Sequence, residues 1–172
     1  DIKLRFSVAG MIEPCYLLGE FDVVLKGSKA LLCPPSHTIG FGPLAMQGMP
    51  FYGGNITYST TIDTPECTAR ITIRDFGSHC VRVFVDGEDA GLIAFSPFAV
   101  EKDLLAGEHQ IEFRCYGNRN NTFGPVHNNR MKDGDYCVEP DAWEKSNEFF
   151  RSGYFLQDTG ILSEPVIELL KK

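Results

Sequence analysis

Between residues 55 and 116, apolar and polar side chains alternate with a period of two, segment after segment. Successive side chains of an extended strand point to opposite faces, so this pattern belongs to strands with one face buried and the other in water. Ile56, Tyr58, Thr60 and Ile62 form one face of a segment whose other face is Asn55, Thr57, Ser59 and Thr61. Ala69, Ile71 and Ile73 alternate with Thr68, Arg70, Thr72 and Arg74, and the pattern returns at Val81, Val83 and Val85 and at Ile111, Phe113 and Cys115. Asp86-Gly87 separates Val81–Val85 from an Ala90–Ala94 run. A two-residue hairpin turn needs positive φ at its centre, which Asp-Gly tolerates. Gly107 likewise precedes a strand over Glu108–Tyr116. Short strands separated by turns predict antiparallel sheets and not a βαβ fold.

The expected fold is therefore all-β: an antiparallel jelly-roll β-sandwich with long loops and at most one or two short helices. Gly and Pro, 17 and 10 in number and spread along the chain, fit many turns and few helices. No repeat, low-complexity tract or linker divides the 172 residues, so one domain over 1–172 is expected. Two regions lack the alternation. Gly40 to Gly54 reads as a long loop packed on the sandwich, and Gly117 to Asp135 as a polar loop. Pro140 to Ser146 reads as a short helix with Pro in its first turn.

Charge and cysteine content narrow the partners. A net charge of -7 with 16 scattered basic residues disfavours nucleic acid, which needs a concentrated basic surface. No apolar run approaches the length that spans a bilayer, so no membrane partner is expected and the location expected is cytoplasmic. Cys15, Cys33, Cys67, Cys80, Cys115 and Cys137 match no metal-binding spacing. Cys67 and Cys115 fall in phase with apolar strand positions, where a thiol packs as a small hydrophobe, so free thiols are expected in preference to disulfides.

Catalytic motifs are missing. No G-x-S-x-G or H-E-x-x-H occurs, and His37, His79, His109 and His127 stand apart. The loose G-x-G-x-x-A at Gly40–Ala45 has no helix to follow it. Asp133-Gly134-Asp135 offers too few oxygens for a calcium loop and reads as a turn, so no cofactor is expected. A glycosidase needs two carboxylates across a sugar; Glu20 and Asp22 lie on one face of a strand and Glu88 and Asp89 in the hairpin turn, and acids in turns are ordinarily solvated. A sugar site is better represented. Sugars present an apolar CH face and a rim of hydroxyls, which an aromatic platform beside Asn, Arg or His groups would meet. Tyr52, Phe123 and Trp143 supply platforms, while Arg119, Asn120, Asn121 and His127 supply polar groups; Tyr58, in phase with Ile56 and Ile62, is expected in the core.

Four stretches occur in a familiar order: Cys15-Tyr-Leu-Leu-Gly-Glu-Phe-Asp-Val23, Gly48-Met-Pro-Phe-Tyr-Gly-Gly-Asn-Ile-Thr-Tyr58, Val83-Phe-Val-Asp-Gly87 and Arg119-Asn-Asn-Thr-Phe-Gly-Pro-Val-His127. In this the chain resembles the C-terminal jelly-roll module of large bacterial glycoside hydrolases, akin to the sugar-binding domain of glycoside hydrolase family 2 and to galactose-binding-like domains. The resemblance implies a noncatalytic carbohydrate-binding accessory domain whose catalytic domain lies elsewhere in the same polypeptide. Tyr52, Arg119, Asn120, Asn121, His127 and Trp143 are the expected carbohydrate-binding residues. Two alternatives stay open: a ligand-free module that packs on the parent catalytic domain, and a small glycosidase using an unrecognised carboxylate pair.

Overall fold

The computed structural model describes residues 16–36, 38–124, 126–128 and 150–171. The expected helix over 140–146, the Asp133–Asp135 turn, Trp143, His37, Cys15 and Cys137 lie outside these residues. The described strands are β1 (Asp22–Lys26), β2 (Lys29–Cys33), β3 (Ile56–Thr64), β4 (Cys67–Thr72), β5 (Val81–Val85), β6 (Glu88–Ile93), β7 (Ala99–Leu104), β8 (Gly107–Cys115) and β9 (Val166–Leu170). They form a four-stranded sheet in the order β3-β8-β5-β6, a three-stranded sheet in the order β7-β4-β9, and a separate β1-β2 ribbon. Every strand pairing is antiparallel. One helical turn, α1 (Asn120–Phe123), and a 3₁₀ turn at Leu44–Gln47 interrupt the loops. The molecule is the expected all-β sandwich.

Register follows from the alternation. Cα pairing sets Tyr58 opposite Phe113 and Phe113 opposite Val83, with Ile56 and Val81 flanking Cys115 on either side. A one-residue slip would turn this whole row to solvent, so burial of one face fixes the pairing. Opposite it, Cys67, Ala69 and Ile71 of β4 bring the second sheet into the same core, which Ile73, Ile161 and Leu44 complete from loops. Phe113, Ile71, Ile111, Val81 and Val83 are fully buried, and each such side chain contributes about 1.5–3 kcal/mol relative to exposure. Cys67 and Cys115 are core residues as expected, and Cys33, Cys67, Cys80 and Cys115 are free thiols. Burial pushes the Cys115 thiol pKa up, which keeps it protonated and unreactive.

The Asp86-Gly87 hairpin is present, with φ of 52° and 79° at the two positions. Its second strand begins earlier than the alternation suggested, at Glu88, because the ladder is bulged there: Phe84 pairs with Asp89 and Val83 with Gly91, leaving Ala90 extra. Strands β2, β7 and β9 carried no alternation to announce them. In β7 the charges of Glu101 and Asp103 face Arg70 and Thr68 across the ladder, and Lys102, opposite Ala69, sends its ammonium out to Glu88 at 2.9 Å.

Candidate functional site

The polar loop that follows β8 is held in place by its own polar groups. The Asn118 side chain accepts the Asn120 N–H at 3.0 Å, and the Arg119 carbonyl accepts the N–H of Phe123 at 2.9 Å, which closes the single turn α1. Asn121 points inward. It is 2% exposed, its amide NH₂ donates to the Gln157 carbonyl at 2.8 Å, and its side-chain oxygen accepts the Gln157 N–H at 2.9 Å. Thr122 donates its hydroxyl to the Phe51 carbonyl at 2.7 Å. These bonds tie α1 to the 51–54 loop on one side and to the 157–161 segment on the other. Gly117 is required for the approach: a Cβ there would stand 2.2 Å from the Gly54 carbonyl oxygen.

The 157–161 segment is itself threaded through the end of the sandwich. The Gly42 and Leu44 N–H groups donate to the Ile161 and Thr159 carbonyls, and the Gly77 N–H donates to the Gly160 carbonyl. Tyr58, buried in the core as expected, accepts the Ile161 N–H at 3.3 Å on its hydroxyl and stacks on Phe41 with ring centroids 5.4 Å apart. Desolvation raises the Tyr58 pKa, so its phenol stays neutral. The G-x-G-x-x-A stretch serves this threading too: the Gln47 side-chain amide bonds Gly40 and Gly42 backbone atoms at 2.7–3.2 Å, as a loop brace.

The expected site residues therefore divide. Tyr52 and Phe123 are each 41% exposed, and Phe123 meets the exposed ring of Tyr16 edge to face at 4.8 Å between centroids. Arg119 is exposed and Asn120 half-buried. These groups share one end of the sandwich, since Thr122 and Arg119 lie against Gly53. Asn121 does not join them: sequence reasoning placed its amide among sugar-facing groups, and burial with both ends bonded makes it a clamp. His127 packs its ring on Tyr154 and Phe150, at 4.5 and 5.4 Å, and donates from Nδ1 to the Gly153 carbonyl at 2.9 Å. The stacking expected of Trp143 lies outside the described residues. Tyr16 is the platform residue that sequence reasoning missed. It precedes the first strand, so no periodicity marks it.

Beside this surface runs a crevice lined by Leu44, Tyr52, Ile56, Ser78, Cys115 and Asn118 among others, with room for about one water molecule. It is too small to enclose a sugar ring, so recognition at this end would be by an open surface. No carboxylate lines it. Three of the four acids Glu20, Asp22, Glu88 and Asp89 are engaged elsewhere: Glu88 pairs with Lys102 at 2.9 Å, Asp89 with Arg82 at 3.1 Å, and Asp22 accepts the Ser36 N–H at 2.7 Å. Among the described residues, no three His, Cys, Asp or Glu side chains converge on a metal position, and no helix is long and apolar enough to cross a membrane.

No protein-family model and no curated protein matches the chain. Among solved structures it is similar to the rhamnosidase of Novosphingobium sp. PP1Y, at 16% identity and a TM-score of 0.51, over 95% of this chain and 16% of that one. It is also similar to the GH2 beta-galacturonidase of Eisenbergiella tayi, solved with glycerol and with galacturonate, at 27% identity and a TM-score of 0.37, over 61% of this chain and 18% of that one. The rhamnosidase likeness is one of fold. This sandwich recurs as a minor part, about one-sixth, of a much longer glycoside hydrolase chain. The sandwich module of large glycoside hydrolases that the sequence resembles is met at that level.

Proposed function

We propose that this chain is a noncatalytic accessory module of a larger glycoside hydrolase and that it contacts carbohydrate through the surface around α1. The observation that carries the reading is the exposure of Tyr52, Tyr16 and Phe123 on loops braced by buried hydrogen bonds, with Arg119 and Asn120 beside them. Exposed aromatic rings on a rigid support give a sugar CH face a partner at little cost in side-chain entropy. Arg119 and Asn120 would donate to and accept from hydroxyls at the rim. Trp143 is the further stacking residue of this proposal, and Trp143→Ala is expected to weaken binding without lowering the melting temperature. Calorimetric titration of the chain with a panel of neutral plant and host oligosaccharides tests the reading. Saturable heat supports it, and silence across the panel counts against it.

A second reading has its own observation. The β1-β2 ribbon stands outside both sheets and exposes Leu31, Leu32 and Val24, with Leu17 and Leu18 just before it. A two-stranded ribbon is marginal in water by itself, so such a surface suits a module that docks on the remainder of its polypeptide. Docking and sugar contact use different parts of the molecule and are compatible.

A further inference from the structure

On the outer face of the four-stranded sheet, Arg82 of β5 and Arg114 of β8 are direct cross-strand partners. Like charges opposed in this way destabilise a sheet, and a local rule broken without compensation points to function. Compensation is partial here. Asp89 pairs with Arg82 through one nitrogen, Nη1, at 3.1 Å, while Arg82 Nε is buried with no hydrogen-bond partner among the described residues. Among the described residues Arg114 is in no ion pair, and its guanidinium lies 4.6 Å from the centre of the Phe84 ring. Leu92, the other partner of Arg82, adds exposed apolar surface alongside.

We infer that Arg82 and Arg114, with Phe84 and Leu92, form a second ligand site, which takes the carboxylate of a uronic-acid sugar. A planar guanidinium matches a carboxylate in two parallel hydrogen bonds, and directly opposed residues on paired strands have Cβ atoms about 5 Å apart, which sets the two arginines side by side within reach of one such group. The basic area is only two residues wide. Glu108 and Glu112 on β8 and Asp63 on β3 lie on the same face, so a broad acidic protein surface is repelled more than a slender sugar chain that presents one carboxylate to the arginines. The choice of a sugar rests on the carbohydrate reading above; the choice of a carboxylate does not.

The test is titration at low ionic strength with a trigalacturonate, a neutral galactotriose and acetate, on the wild-type chain and on Arg114→Gln, Arg114→Lys and Tyr52→Ala. The inference expects trigalacturonate affinity to fall by about tenfold or more in Arg114→Gln and to recover only partly in Arg114→Lys, with melting temperatures not lowered. Tyr52→Ala should leave that affinity intact. Trigalacturonate binding no tighter than galactotriose, or insensitive to Arg114→Gln, overturns it, as does acetate binding equally well. If galactotriose binds through Tyr52 while trigalacturonate gains nothing from Arg114, this site fails and the carbohydrate reading stands. The reverse pattern retires the α1 surface and keeps the arginine site.

Discussion

Asn121 shows how far a residue's chemistry can be read without its neighbours. Its place in an Asn-rich loop put it among the sugar-facing groups, and its bonds to the backbone of Gln157, 36 positions away, make it a brace. Asn121→Ala would strand a buried donor and a buried acceptor, so it is expected to lower unfolding free energy by about 2–4 kcal/mol in a urea titration. Loss of sugar binding in that variant would report on folding. An unchanged urea midpoint would show that the clamp is dispensable. Tyr58 went the other way: its phase with Ile56 and Ile62 was enough to place it in the core, because alternation carries face information that loops lack. Phe113, paired on both sides in that core, is expected to cost about 3–5 kcal/mol as Phe113→Ala, measured the same way.

Among elements, the Asp86-Gly87 turn was legible but the bulge after it was not, and the hairpin also contains a pH-dependent contact that no periodicity reveals. His109 Nδ1 faces the Asp86 carboxylate at 2.6 Å and Nε2 faces the Leu105 carbonyl at 2.9 Å. Both partners accept, so a protonated ring donates to both and joins the β5-β6 hairpin to the β7-β8 turn. The hydrogen bond to Asp86 raises the His109 pKa, and the bond from His109, then the Gln110 N–H, lowers that of Asp86. A raised histidine pKa stabilises fully below its unfolded value and loses that contribution as pH rises through the folded value. The lowered Asp86 pKa stabilises above its unfolded value and is lost as pH falls through the folded one. Stability from this pair is therefore expected to hold from the carboxylate range to the histidine range and to decline on either side. Urea midpoints measured across pH should show that plateau in the wild type and a flatter profile in Asp86→Asn; identical profiles would contradict it. The strands that sequence reading passed over, β2, β7 and β9, share a cause. All three lie at edges or outside the sheets, and β7 also sets its charges against partners on β4, so burial leaves no clear period on them.

For the molecule as a whole, the sandwich was readable because its core is built from strands that alternate, and the threading of residues 157–161 through one end was not, because it depends on carbonyl and amide groups every sequence has. That threading braces the α1 end through backbone hydrogen bonds. The β1-β2 ribbon, in contrast, leaves leucines uncovered, and sedimentation velocity is expected to show concentration-dependent association that Leu31→Lys with Leu32→Lys reduces; a monomer at all concentrations would argue against a docking ribbon. The central claim, a rigid aromatic surface that meets carbohydrate, is tested most directly by one comparison. The oligosaccharide that binds best in calorimetry is titrated into the wild type and into Tyr52→Ala/Phe123→Ala, with thermal melts of both. The expected result is an affinity at least about tenfold weaker in the double variant at an unchanged melting temperature. Equal affinities in the two proteins would contradict the claim and move recognition away from α1.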